Sequence, residues 1–184
     1  PAFLYVNERH FGREPGLAGW FGYAKERQFD LAVDFVAQPS AGGWQIGSPH
    51  LLSAAPLLGS LALFAEAGLE TVREKSLALT AYLMALVDET LSPAPYHYRV
   101  ASPRDPRRRG GHVAVEHPTE AWRICQALKA RQIVPDFRPE RIIRIAPVAL
   151  YNSFEDVWHV AQALREIIDH KEYEAFPRER GAVS

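Results

Sequence analysis

The sequence predicts a mixed α/β protein whose second half is a compact α+β lobe. After Pro95 the residue pattern reads strand, strand, helix, strand, strand, helix, an order that folds as a sheet covered on one face by helices. Before Pro95, Leu51 to about Leu91 is helical in pattern. The chain opens on Ala2–Val6 (AFLYV), a continuous apolar run that suits a strand buried on both faces of a parallel sheet. That strand and the long helices belong to something larger than the lobe.

A length of 184 residues suits one domain, or one domain with part of another. The formal net charge of −1 provides no global field for nucleic acid or an anionic membrane. A lone cysteine, Cys125, cannot form an internal disulfide, which fits a reducing compartment without demanding one. No basic-apolar leader is visible, and the start at Pro1 instead of Met raises the expectation of a missing front. The longest apolar run, Leu51–Ala65, is too short to span a bilayer and contains Ser53, Pro56, Gly59 and Ser60. It reads as a buried core helix.

Residues 7–19 are polar and turn-rich. Gly19-Trp20-Phe21-Gly22-Tyr23 then packs aromatic rings between glycines. Such a loop is either a binding surface where backbone must approach closely or an anchor pinning the loop to the core. Residues 42–49 (GGWQIGSP) form a second glycine-rich loop feeding a helix. Ser48 there suits an N-cap, and the same position suits a phosphate contact. No GxGxxG or GxxxxGK pattern is present.

The helical section breaks near Gly68. Leu69, Val72, Ser76, Leu79, Leu83 and Leu86 follow at three- and four-residue steps and predict one buried stripe. Pro93 and Pro95 end it. Arg104–Arg109 (RDPRRR) is the basic cluster, and without interleaved aromatics it reads as a solvated loop. His112–His117 (HVAVEH) alternates as a strand. His112 and His117, five apart, point to opposite faces and cannot jointly hold a metal; no zinc-type Cys/His spacing exists. Pro118 opens a helix to about Ala130, with Ala121, Ile124, Cys125 and Leu128 on its apolar face and Cys125 a core thiol.

The most informative stretch is Gln132–Trp158 (QIVPDFRPERIIRIAPVALYNSFEDVW). It predicts a strand at Gln132–Phe137, a proline-bearing turn, a strand at Arg141–Ala146, and a helix opening near Ser153. The last carries a capping-box variant and a stripe of Val157, Val160, Ala161, Leu164 and Ile168. Alternation puts Ile143 and Ile145 on one face of the second strand and Ile142, Arg144 and Ala146 on the other. Arg144 there is either held to receive an anion with its fork of donors, or is an edge-strand arginine bridged to a surface carboxylate. The tail from Arg178 is charged and small.

FLYVNERH (Phe3–His10), GWFGY (Gly19–Tyr23), REKSLALTAYL (Arg73–Leu83) and PDFRPERIIRIAPVALYNSFEDV (Pro135–Val157) together resemble the C-terminal part of the kynureninase family. The resemblance covers nearly the whole chain. It implies a fold-type I, aspartate aminotransferase-like α/β architecture with pyridoxal 5'-phosphate as cofactor. Residues 1–50 would end the large cofactor-binding domain, 51–92 would be connecting helices, 93–176 a small α+β domain and 177–184 a tail.

The resemblance further implies hydrolytic Cβ–Cγ cleavage of L-kynurenine to anthranilate and L-alanine, in a cytoplasmic homodimer with shared active sites, and leaves preference for 3-hydroxykynurenine open. Trp20 matches the tryptophan whose indole N–H reaches the cofactor phosphate across the dimer interface. Phe21 would line the site beside the substrate ring. Ser48 falls where members often carry Asn or Thr on that phosphate, a shorter donor here. Arg144 matches the arginine that clamps the substrate α-carboxylate. The Schiff-base lysine is expected upstream of Pro1, since Lys25, Lys75, Lys129 and Lys171 lack its context; alone, these residues are expected to be inactive. A desulfurase, a transaminase or a non-catalytic dimerisation module are the alternatives.

Overall fold

The computed structural model describes residues 3–179, and the chain divides into two compact units, Pro1–Ala65 and Glu66–Ser184. Ala2 of the expected opening strand and the last residues of the expected tail lie outside the described residues.

In the first unit, Phe3–Val6 forms no strand, and Phe3, Leu4 and Tyr5 are exposed. A strand needs a neighbour to share its hydrogen bonds, and no described segment pairs with it. The unit is built instead from single 3₁₀ turns at Glu8–His10, Trp20–Gly22, Lys25–Arg27 and Ala41–Trp44. Asn7 caps the first through its side-chain oxygen, and Ser40 caps the last.

The second turn is stitched to residues 34–38, the segment that leads into the fourth. The amide of Gln38 donates to the carbonyl of Gly22 at 2.9 Å, the amide of Ala24 to Val36 at 2.8 Å, and the Tyr23 hydroxyl to Asp34 at 2.9 Å. Tyr23 and Ala24 are buried, so Tyr23 is the anchor of the aromatic loop. Both bracketing glycines are needed for close approach. A Cβ on Gly19 would collide with the backbone of Ile46, and one on Gly22 would lie 2.6 Å from the carbonyl oxygen of Gly43.

Helices α1 (Leu51–Ala54) and α2 (Pro56–Ala67) follow, and the unit ends within α2. The expected buried core helix is not found: neither helix buries a residue, and Leu51, Leu52, Leu58, Leu61 and Leu63 are exposed. A helix apolar on all sides needs partners on all sides, and no described residue of this unit supplies them. Among the described residues no single helix is long and apolar enough to cross a membrane.

In the second unit Gly68 sits at φ +78, a backbone region open mainly to glycine, and separates α2 from α3 (Leu69–Leu86). The chain continues through a wide turn, Val87–Leu91. Four antiparallel strands, β1 (Arg99–Val100), β2 (Val113–Glu116), β3 (Asp136–Arg138) and β4 (Ile142–Ile145), lie in the order β1-β2-β4-β3. Helices α4 (Ala121–Ala130) and α5 (Phe154–Asp169) complete the expected element order.

Val113, Val115, Ile143 and Ile145 line the buried face of the sheet, in one cluster with Leu79, Leu83, Ile124, Leu128, Val157 and Leu164 from the helices. The stripe on α3 is buried only in its second half: Leu69 is exposed, while Val72, Ser76 and Leu86 are half-buried. Periodicity reports which face can be buried, not how much of a helix finds a partner.

Two local features set the helix starts. The Nδ1 atom of buried His117 accepts the amide of Glu120 at 3.0 Å, so α4 begins at Ala121 and not directly after Pro118. At α5 the Ser153 hydroxyl accepts the Asp156 amide at 3.1 Å, and Asp156 accepts the Ser153 amide at 2.7 Å. This is a capping box closed by Asp. The Ser153 backbone N–H holds the Asp156 carboxyl below the usual carboxylate range.

Candidate functional site

β4 lies between β2 and β3, so Arg144 is on an interior strand and not at an edge. The strand alternates as its sequence requires: Ile143 and Ile145 are buried, Ile142 and Arg144 half-buried. Arg144 therefore stands on the sheet face opposite the helices. Its register partners are Ala114 on β2 and Asp136 on β3. Ala114 leaves room on one side, and Asp136 supplies a carboxylate on the other.

The Arg144 Nη2 group donates to Oδ2 of Asp136, and the same oxygen accepts from Arg138 Nη2 at 2.8 Å. Arg138 and Asp136 are two apart on β3 and so share a face. Two guanidiniums thus meet one carboxylate, and the group carries a net charge of +1. The Arg144 side chain is 37% exposed. Its Nε and Nη1 atoms have no hydrogen-bond partner among the described residues. A guanidinium presents two edges, each with a parallel pair of N–H groups, and Nη2 contributes one proton to each. Whichever proton goes to Asp136, one edge keeps both donors. That edge matches a carboxylate.

The link between β4 and α5 is held by Asn152, whose side-chain oxygen accepts the Val148 amide at 2.8 Å. An open cleft of about 420 Å³ lies beside it, walled by Val134, Pro135, Pro147, Tyr151, Val157 and others. Arg144 does not line this cleft.

In the first unit, Trp20 and Phe21 share one turn, their rings edge-to-face with centroids 5.7 Å apart. The Trp20 ring also meets Phe29 at 6.0 Å, and its carbonyl accepts from Gln28 at 3.0 Å. Trp20 is 53% exposed, and its indole N–H, a donor only, has no acceptor among the described residues. Lys25 Nζ stands 4.0 Å from the centroid of the Phe21 ring and donates to the Phe21 carbonyl.

Ser48 is exposed and does not cap a helix. His50 fills that position at α1, its Nδ1 accepting the Ser53 amide at 3.2 Å. Pro49 lies between Ser48 and the capping His50, placing the Ser48 hydroxyl two residues too early. Trp20, Phe21 and Ser48 belong to one unit and Arg144 to the other. Among the described residues no His, Cys, Asp and Glu side chains gather as metal ligands.

Sequence reasoning missed Asp136 and Arg138. Their signal was available: in PDFRPE the alternation puts both on one face, and pairing of the two flanking strands sets Asp136 opposite Arg144.

Two solved structures are similar to this chain in fold. The apo cysteine desulfurase of Thermococcus onnurineus NA1 matches with a TM-score of 0.73 at 19% identity, over 90% of this chain and 42% of that one. A C-DES variant with glycine covalently linked to its PLP cofactor matches with a TM-score of 0.67 at 17% identity, over 87% of this chain and 40% of that one. The chain therefore has the α/β fold of part of a fold-type I enzyme. Within that class it belongs to the kynureninase C-terminal domain family, whose model matches residues 72–164. It is 51% identical over 183 residues to the kynureninases of Geobacillus thermodenitrificans and Shouchella clausii. In both cases the alignment takes in 100% of this chain and 42% of the relative's length.

Proposed function

We propose that this chain is the substrate-gripping portion of a pyridoxal 5'-phosphate-dependent kynureninase. The reaction is hydrolysis of the Cβ–Cγ bond of L-kynurenine to anthranilate and L-alanine, in a cytoplasmic homodimer whose subunits share their active sites. The observation that carries the reading is Arg144: a half-buried guanidinium with one complete edge of donors unused among the described residues, in a group of net positive charge. Membership of the kynureninase C-terminal domain family supports the choice of substrate.

Each residue has a role its chemistry allows. Arg144 accepts the α-carboxylate of the amino acid and fixes its orientation. Trp20 offers a donor-only indole N–H to the cofactor phosphate, an acceptor-rich group. Ser48, exposed with a hydroxyl that makes no hydrogen bond among the described residues, contacts the same phosphate. Phe21 packs beside the aromatic ring of the substrate and excludes water there. When bound, pyridoxal phosphate supplies the electron sink for the bond cleavage. The lysine that joins the cofactor comes from sequence outside these residues, so the chain by itself is inactive. Residues 1–50 belong with the large domain, 51–92 with the connecting helices, 93–176 with the small domain and 177–184 with the tail.

The test is anthranilate release by the full-length enzyme. Arg144→Ala should raise KM for L-kynurenine by about 30-fold or more, as expected for losing a charge-assisted bidentate contact. Arg144→Lys should recover only part of this, because an ammonium cannot form the parallel pair. Unchanged KM and kcat in Arg144→Ala would remove the carboxylate role. Release of sulfide from cysteine by the full-length enzyme, with no anthranilate from L-kynurenine, would move the chain to a desulfurase.

A further inference from the structure

We infer that Asp136 is a positioning residue for Arg144: it holds the guanidinium by one nitrogen so that its remaining edge is presented to an incoming carboxylate. The inference rests on the assignment of Arg144 to the substrate carboxylate and deepens it. A long arginine side chain on an open sheet face samples many rotamers in water, and freezing it on binding costs affinity. Asp136 meets that cost in advance. It stands directly across from Arg144 in the β3–β4 register, where strand geometry fixes its distance. The contact uses Nη2 alone, and Nε and Nη1 have no other partner among the described residues.

An aspartate beside a carboxylate site would ordinarily repel the substrate. Here its charge is shared. The oxygen that accepts from Arg144 also accepts from Arg138 at 2.8 Å. Arg138 therefore offsets the Asp136 charge, and the charge of Arg144 remains uncancelled for the ligand. A further charged pair on the same sheet, Arg141 with Glu116, is 3.0 Å apart and neutral as a pair. Asp136 can thus orient Arg144 without turning the face negative.

The test is a double-mutant cycle in the full-length holoenzyme, using Asp136→Asn, Arg144→Ala and both together. Two ligands are compared: L-kynurenine, and the decarboxylated amine with the same aryl ketone as an inhibitor. Asp136→Asn should raise KM for L-kynurenine about five- to tenfold with kcat within about twofold, and leave inhibition by the amine unchanged. In the Arg144→Ala background the same change should shift KM by less than about twofold, because the group it positions is gone. Asp136→Glu, which keeps the charge, should restore at least half of the loss and serves as the probe if Asp136→Asn does not fold.

A full five- to tenfold effect persisting in the Arg144→Ala background would overturn the inference while leaving the carboxylate reading intact. So would a lower KM in Asp136→Asn, which would make Asp136 a competitor of the substrate, or an equal loss of amine binding. If Arg144→Ala alone leaves KM unchanged, the underlying assignment fails and the inference with it.

Discussion

The hydroxyl of Tyr98 donates to the backbone carbonyl of Leu164 at 3.0 Å, tying the segment before β1 to the middle of α5 through the core. Tyr98 is fully buried, and burial pushes its hydroxyl pKa far above the ordinary value of 10.0. Tyr98→Phe keeps the ring and should cost about 1 kcal/mol, the net worth of one buried hydrogen bond. The sign of the pH effect follows from the raised pKa. The contribution is fully present below the unfolded tyrosine pKa near 10 and is lost as pH rises beyond it. Denaturant titrations between pH 8 and pH 11 on both proteins should show a decline with pH that is shallower in Tyr98→Phe.

His117 should make stability fall on the acid side. It is 6% exposed, and burial lowers its pKa below the ordinary 6.5, with Glu120 opposing the shift and His97 adding to it. Its Nδ1 is an acceptor for the Glu120 amide, a role that needs the neutral ring. The unfolded chain binds the proton first. The stability is therefore complete above about pH 6.5 and is lost as pH falls through the lower folded value. His117→Gln should be less stable at pH 7.5 and should show a weaker drop between pH 7 and pH 5 in urea melts.

Arg123 fastens the end of the described chain. It is 8% exposed, its Nε donates to the Phe176 carbonyl at 2.8 Å, and Nη1 pairs with Glu120 at 3.0 Å. Its guanidinium also lies over the Tyr173 ring, 5.2 Å from the centroid. Removing it leaves Glu120 mostly buried without its cation. Arg123→Ala should cost about 3 kcal/mol and should expose the 170–178 segment to trypsin. Wild-type resistance at Lys171 and Arg178 in the variant would show that the segment has other adequate anchors.

Much of the lobe could be read in advance because each element carries its own signal. β4 alternates through Ile143 and Ile145, α5 declares its start with Ser153 and Asp156, and Gly68 marks a break that only a positive φ explains. The failures share a cause. Phe3–Val6 and Leu51–Ala65 are apolar enough to be buried, but burial is a property of a pair, and the sequence does not say whether the partner is present. Ser48 failed for a local reason: a histidine two residues later made a better cap, and imidazole is rarely counted among capping groups. At the candidate site the face that Arg144 occupies could be read from alternation, and its proposed role only from the family resemblance. Asp136 and Arg138 were missed, because their relation to Arg144 exists only across the strand pairing.

The tight seam at Gly19 and Gly22 has a mechanical meaning. With no side chain on either residue, the turn carrying Trp20 and Phe21 rests directly on the peptide groups of the 43–46 turn, leaving no soft layer between them. Backbone contact this close couples the two segments, so a tilt of one is expected to carry the other along. An aromatic pair mounted this way keeps its aim through rigid backbone, much as a lens keeps its alignment in a metal cell.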